Sequence, residues 1–236
     1  MRFPTSWTVS TVLLGLSTFA GTGDRLRAGE KLAASVPSQV VWTLDNVESV
    51  GGHKPEVLGA PKIVDKAAGG PALQFNGRND GLIFPLNPLA AWATFTIEVL
   101  IRLDADGPRA QRFLHIDDRR GSRALLETRS DDGKSWILDA FLRSGKDHRT
   151  LRNRVRRHLP GQWAWVALVY DGKQMTDYVN GVRELEGRAV FPPMTSGYTS
   201  LGVRLNRVYW FKGCIKEVRF HPAALAPEAL QRVAEK

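Results

Sequence analysis

Beyond residue 39 the chain alternates short apolar runs with turn-forming residues. The runs fall at 40–44, 72–75, 82–84, 95–102, 112–116, 124–129, 136–142, 163–170, 175–179, 182–185, 200–203 and 214–220. Their lengths, their content of Val, Ile, Phe, Trp and Tyr, and the Gly, Asp, Asn and Pro around them predict β-strands. Two turns fix how neighbours pair. Asp171-Gly172 separates a strand ending at Tyr170 from one beginning near Gln174, and Asn180-Gly181 separates Tyr178-Val179 from Val182-Arg183. Both dipeptides readily supply the positive φ angles of tight hairpins, so 163–185 reads as an antiparallel meander. Only the tail, 227–234, carries a helix-start signal, with Pro227 in the first turn and Glu228 beside it.

The N-terminal residues follow a different pattern. Arg2 precedes an apolar stretch over 9–20, and Thr18 and Ala20 suit the −3 and −1 positions of a cleavage site. Residues 1–20 therefore read as a secretory signal peptide and 21–38 as a polar linker, leaving one domain over 39–236. That stretch is short for a bilayer and no other run approaches ~20 apolar residues, so no span is expected in the mature chain. The 236 residues, 43% of them hydrophobic, suffice for a single buried core. Cys214 is the only cysteine, which rules out an intrachain disulfide, and its apolar surroundings mark it as a small buried hydrophobe. The formal charge is +9 and arginine outnumbers lysine, which favours forked contacts with carboxylates, sulfates or phosphates. No nucleic-acid-binding motif accompanies that charge, and nucleic acid is not an expected partner.

Six segments stand out in order: residues 74–80, 95–99, 163–172, 178–181, 213–220 and 224–228. Taken together they resemble bacterial laminin-G-like domains of the concanavalin A-like lectin/glucanase superfamily. Gln74-Phe75-Asn76-Gly77-Arg78-Asn79-Asp80 is similar to their F-D-G-x-x-D segment, and Phe95-Thr96-Ile97-Glu98-Val99 to their F-T-I-x-x-W strand. Trp163-Ala164-Trp165-Val166-Ala167 with Tyr170-Asp171-Gly172 resembles W-x-H-V-A-x-x-Y-D-G. Tyr178-Val179-Asn180-Gly181 resembles Y-V-D/N-G, and residues 213–220 resemble G-x-I-D-E-V-R-x-Y. Ala224-Leu225-Ala226-Pro227-Glu228 is similar to the closing A-L-S-x-E-E-I segment. The resemblance implies an all-β, two-sheet antiparallel jelly-roll sandwich with a short C-terminal helix, holding ligands on a concave sheet face. It also implies that some members carry calcium. Here Lys216 stands where the family often has an Asp tied to that ion, and a cation there opposes a divalent metal. The expectation is no cofactor, or one structural calcium held by Asn79, Asp80 and Glu217.

Three successive strand candidates carry ionisable residues between strongly apolar ones. Alternation puts Glu127 and Arg129 on one face of their strand, and Asp139 and Arg143 on one face of the next. Together with His115 they are expected to form a cluster on the concave surface, with Glu98 as an additional member. The bland alternative is a set of cross-strand ion pairs on a solvated face. Thirteen arginines lie between Arg102 and Arg157, and the group Arg149, Arg152, Arg154, Arg156 and Arg157 reads as a charged loop. Trp136, Tyr209 and Trp210 are candidates for stacking on sugars, whereas Trp42, Trp163 and Trp165 sit in core patterns, with at least one of the last two expected inward.

The expected function is a secreted, non-catalytic binding domain for carbohydrate, in particular acidic polysaccharide. An enzyme is the alternative. Glu127 and Asp139 would act as a glycosidase pair, or His115, Arg129, His158 and Tyr209 as lyase groups. An extracellular protein-interaction module is the third reading. No serine-hydrolase elbow, phosphate-cradling loop, dinucleotide fingerprint or zinc-spaced His/Cys cluster is present.

Overall fold

The computed structural model describes residues 39–64 and 70–234. The signal-peptide and linker readings over 1–38 lie outside these residues. Fifteen strands form: β1 (Val40–Thr43), β2 (Glu56–Leu58), β3 (Lys62–Val64), β4 (Ala72–Asn76), β5 (Gly81–Phe84), β6 (Phe95–Leu103), β7 (Ala110–Asp117) and β8 (Ser122–Arg129). They continue as β9 (Ile137–Ser144), β10 (Asp147–Arg152), β11 (Trp163–Tyr170), β12 (Gln174–Val179), β13 (Val182–Arg188), β14 (Tyr198–Leu201) and β15 (Lys212–His221). The expected C-terminal helix is reduced to one 3-10 turn, Pro227–Ala229, because Leu230 returns to extended backbone (φ −72°, ψ 146°).

All pairings between strands are antiparallel, in two sheets. One sheet runs β13-β12-β11-β6-β15-β4-β3, with β1 also against β15; the other runs β10-β9-β8-β7-β14-β5-β2. The sandwich is therefore the all-β jelly roll that the motifs imply. Hairpin chemistry behaves as the dipeptides predict. Asn180 (φ 49°) and Gly181 (φ 71°) are both left-handed, and the Asp171 carboxylate accepts from the amides of Lys173 and Gln174.

The core lies between the sheets and contains three aromatic groups. Trp42 meets Phe84 and Phe220 at 4.6 and 5.1 Å between ring centroids, Phe211 lies between Phe75 and Phe113, and Phe95 packs with Tyr170 and Phe191. Strand β11 sends Ala164, Val166, Leu168 and Tyr170 inward. Trp163 and Trp165 both take the opposite face, against the expectation that one would point into the core. There Arg102 and Arg219 cover them at 5.7 and 5.1 Å from the ring centres. Cys214 is buried, as expected, and accepts a hydrogen bond from Arg102. Among the described residues no helix is long and apolar enough to cross a membrane.

Candidate functional site

Strands β7 to β10 adjoin in the seven-stranded sheet, and their registers determine what meets on its outer face. Glu127 stands directly opposite Arg112 on one side and Asp139 on the other, and Asp139 stands opposite Arg152. The inward positions of these strands are filled by Ala124, Leu126, Leu138, Ala140, Leu142 and Leu151. Alternation then requires Arg123, Leu125, Glu127, Arg129, Asp139, Phe141, Thr150 and Arg152 to face outward.

Arg112 reaches this face through a β-bulge. The register slips between Arg112 and Leu114, so Phe113 is an extra residue, and both Phe113 and Leu114 enter the core. Regular alternation would have turned Arg112 inward beside Leu114. The bulge instead aims it at the carboxylates, a recurrent use of bulges near sites.

The result is a network of two acids and three guanidinium groups. Asp139 is 1% exposed, and its Oδ2 accepts from Nε of Arg129 and from Nη2 of Arg152 at 2.7 Å. Glu127 is 5% exposed, and its Oε2 accepts from Arg112 at 2.9 Å and more distantly from Arg129 at 3.4 Å. Burial pushes the Glu127 carboxyl above the ordinary range, in spite of Arg112 beside it. Burial likewise pulls the Arg112 guanidinium down. Desolvation thus outweighs pairing at both ends, the usual state of ion pairs retained away from water.

Arg123, Arg204 and Tyr209 complete a cavity of about 270 Å³ lined by this network, with Leu125, Phe141 and Thr150 as its less charged wall. Five guanidinium groups border it against two carboxylates, both of which are already paired. Arg112 is only 9% exposed, yet its Nε and Nη1 have no hydrogen-bond partner among the described residues, and neither does the buried Nε of Arg123. Unmet donors on a buried cation are uncommon because each costs desolvation free energy without return.

Tyr209 roofs the network. Its ring lies 3.6 Å above the Arg112 guanidinium, and its backbone takes φ 60°, which costs a bulky L-residue about 1–2 kcal/mol. The loop 204–211 keeps it there. The Arg112 amide donates to the Tyr209 carbonyl, and the Phe211 amide donates to Gly202, whose missing Cβ would lie 2.3 Å from the Phe75 ring. Of the three adjacent aromatics, Tyr209 therefore faces the cavity and Phe211 the core, whereas Trp210 is half-buried and does not line the cavity.

The remaining expected site residues are placed as follows. His115 shares the face but lies beneath the surface, where its Nδ1 accepts from the Leu205 amide. Burial, with Arg204 and Arg123 nearby, lowers its pKa to about 3. It is consequently neutral, with the proton on its enclosed Nε2, and unsuited to abstracting a proton at neutral pH. Arg143 turns to its own hairpin and donates to Gly145. Trp136 is 1% exposed, packed at a tilt against His158 with its indole N–H given to the Leu159 carbonyl, so it presents no face to a sugar. His158 pairs with Glu184 at 2.7 Å and does not line the cavity. Glu98 does not join the cluster. It sits on β6 of the other sheet, accepting from Gln231 and bonded to His221.

The expected calcium donors do not gather around one point. Both Asp80 oxygens accept backbone amides, from Ala60 and Asn76, and the Asn79 side-chain oxygen accepts from Asn76. Glu217 bonds Arg219, and it lies five residues along β15 from Lys212, the partner of Asn76. That separation is roughly 15 Å at strand spacing, too far for shared ligation of an ion held at about 2.3–2.6 Å. Among the described residues no three His, Cys, Asp or Glu side chains form a metal-binding group.

Comparison with known proteins agrees with this architecture. Human pappalysin-1 is 31% identical over 156 residues, which is 58% of this chain but 10% of that protein, so the chain spans about a tenth of its relative's length. Domain 4 of AbnA, a GH43 extracellular arabinanase from Geobacillus stearothermophilus solved with arabinotriose, superposes with a TM-score of 0.63 at 20% identity. That match covers 80% of this chain and 94% of the domain. The binding domain of botulinum neurotoxin DC, solved with SialylT, gives 0.58 at 11% identity over 81% and 49% of the two chains. A heptameric SAP-like pentraxin from Limulus polyphemus gives 0.53 at 16%, covering 65% and 76%. These similarities are of fold. The laminin-G family model of the concanavalin A-like lectin/glucanases superfamily matches residues 76–231, and the chain belongs to that family.

Proposed function

We propose that the protein is an extracellular carbohydrate-binding domain that holds an anionic glycan, uronate-bearing or sulfated, against Arg112, Arg123, Arg129 and Arg204 beside Tyr209. The observation that carries this reading is the excess of positive charge around the cavity, five guanidinium groups against two carboxylates that are already paired. A carboxylate or sulfate supplies the counter-charge that the lining lacks, and forked guanidinium geometry suits it. The Tyr209 ring and the apolar surface of Leu125 and Phe141 offer flat contact for a sugar ring. Export is supported by the signal-like residues 1–20 and by the extracellular arabinanase among the fold relatives.

Binding fits the network better than catalysis does. Glu127 and Asp139 are held by arginines that would have to be displaced before either could approach a glycosidic oxygen, and His115 is enclosed and neutral. The test is affinity electrophoresis through gels containing pectate, heparin or neutral xylan. Retardation in the acidic gels that persists at about 0.15 M salt, where exposed charges are screened, is expected, with loss in Arg112→Met. Equal migration in all three gels refutes the acidic-glycan reading and turns attention to a protein partner. A cleared zone after staining refutes the non-catalytic one.

A further inference from the structure

The arginine cavity does not end at Arg129. A second cavity of about 180 Å³ adjoins it, lined by Arg109, Arg129, Asp131, Ile137, Arg152, Arg154 and Arg157. Arg129 and Arg152 line both. The registers give the direction of the pair. Arg129 stands opposite Ala110 and Ile137 at one end of β8, whereas Arg123 stands opposite Asp117 and Arg143 at the other. The first cavity thus follows β8 from Arg123 to Arg129, about 20 Å at strand spacing. The second continues past the strand end, between Arg109 before β7 and the segment after β10.

The extension is as one-sided in charge as the main cavity. Arg109, Arg154 and Arg157 stand against the single carboxylate of Asp131, which Arg109 pairs at 2.8 Å. Arg157 donates to the Ser135 hydroxyl, and Arg154 has no ion-pair partner among the described residues. The Asp139 carboxylate, buried behind Arg129 and Arg152, holds those two side chains at the junction and fixes the spacing between the two basic regions.

Resting on the proposed anionic-glycan site, the geometry points to a cleft built for the interior of an extended polyanionic chain. It would take successive charged sugars in line along β8, with one anion in the Arg112–Arg123 region and another in the Arg154–Arg157 region. A site for a single terminal sugar needs only the first region. The junction arginines line both cavities, so a repeating acidic polymer is the ligand class that engages both basic regions at once. The direct consequence is length dependence.

The experiment is a calorimetric titration of the whole protein with size-fractionated oligogalacturonates and heparin oligosaccharides, from disaccharide to decasaccharide, at fixed salt. Affinity is expected to rise with length and then level off once the cleft is filled. The double variant Arg154→Ala/Arg157→Ala should weaken the long oligosaccharides about tenfold, the effect of losing one or two charged contacts, while leaving the disaccharide unchanged. Arg123→Ala should weaken every length. Equal affinity for all lengths, or equal weakening of short and long ligands in the double variant, overturns the extended cleft while sparing the single-site reading. Absence of binding at every length overturns both. Circular dichroism of each variant separates a folding defect from a binding one, and Arg154→Lys/Arg157→Lys, which retains charge, should recover part of the lost affinity.

Discussion

Replacing Arg129 by Met tests how far the buried acids depend on their shared cation. The substitution keeps an unbranched side chain of similar reach and removes only the guanidinium. Asp139 loses the Nε contact but retains Arg152 at 2.7 Å, and Glu127 loses a 3.4 Å contact but retains Arg112 at 2.9 Å. Neither carboxylate is orphaned, so the cost should fall below the roughly 3–5 kcal/mol of breaking a buried pair outright. One strong and one weak charge-assisted bond are lost. Because the Arg129 side chain is 29% exposed, solvent screening brings the expected loss to about 1–2 kcal/mol. For a domain of this size that lowers the melting temperature by roughly 2–8 °C. The penalty should shrink at acid pH. Burial already raises the Glu127 pKa, and removing the nearby cation raises it further, so protonation relieves the unpaired charge as pH falls. Thermal unfolding at two pH values, beside titration with heparin oligosaccharide, reads both effects. A loss near 5 kcal/mol with ligand affinity intact would refute the reasoning and make Arg129 a purely structural residue.

Further expectations follow from buried groups elsewhere. In an NMR titration the His115 ring should stay neutral down to about pH 5, unlike an ordinary histidine near 6.5, since its pKa lies at about 3; a midpoint above 6 would contradict its enclosure. Asp177, wholly buried with only Oδ1 bonded (to the Leu185 amide), has its pKa raised to about 7 by burial and by Glu184. A raised value stabilises the fold fully below the ordinary carboxylate range, and that contribution is lost as pH rises through about 7. Asp177→Asn should therefore gain on the wild type between about pH 3 and pH 8, by on the order of 4 kcal/mol, and a pH-independent difference in denaturant unfolding would count against it. Tyr209→Gly relieves the left-handed backbone but removes the ring over Arg112, so stability should change by less than about 1 kcal/mol while glycan affinity falls; unchanged affinity would remove Tyr209 from the site.

The parts of the site that obey regular alternation were legible in the chain. Glu127, Arg129 and Asp139 lie on adjacent strands with apolar neighbours on the other face, and both the hairpins and the family motifs fix that arrangement. Arg112 was hidden by the bulge at Phe113, since a one-residue slip reverses a face and nothing local in Gln111-Arg112-Phe113-Leu114 announces it. Arg152 was hidden because β10, Asp147–Arg152, has only Leu151 as an inward apolar residue and reads as a charged loop. Tyr209 was among the expected aromatics, but Arg204 was hidden because its loop follows a path that depends on left-handed residues at Arg207 and Tyr209. Glu98 was misplaced because consecutive strands in a sandwich often cross between sheets, as β6 and β7 do here. The core position of Trp136 arises from its pairing with His158 across more than twenty residues, a contact outside the reach of a local pattern.

The most direct measurement is a crystal structure of the protein with a heparin or oligogalacturonate tetrasaccharide. The account predicts the sugar on the outer face of the seven-stranded sheet, with a sulfate or carboxylate oxygen within hydrogen-bond distance of the Arg123, Arg129 or Arg204 guanidinium and the Tyr209 ring against the chain. A ligand seated on the eight-stranded sheet or on distant loops, touching none of these guanidinium groups, would contradict it.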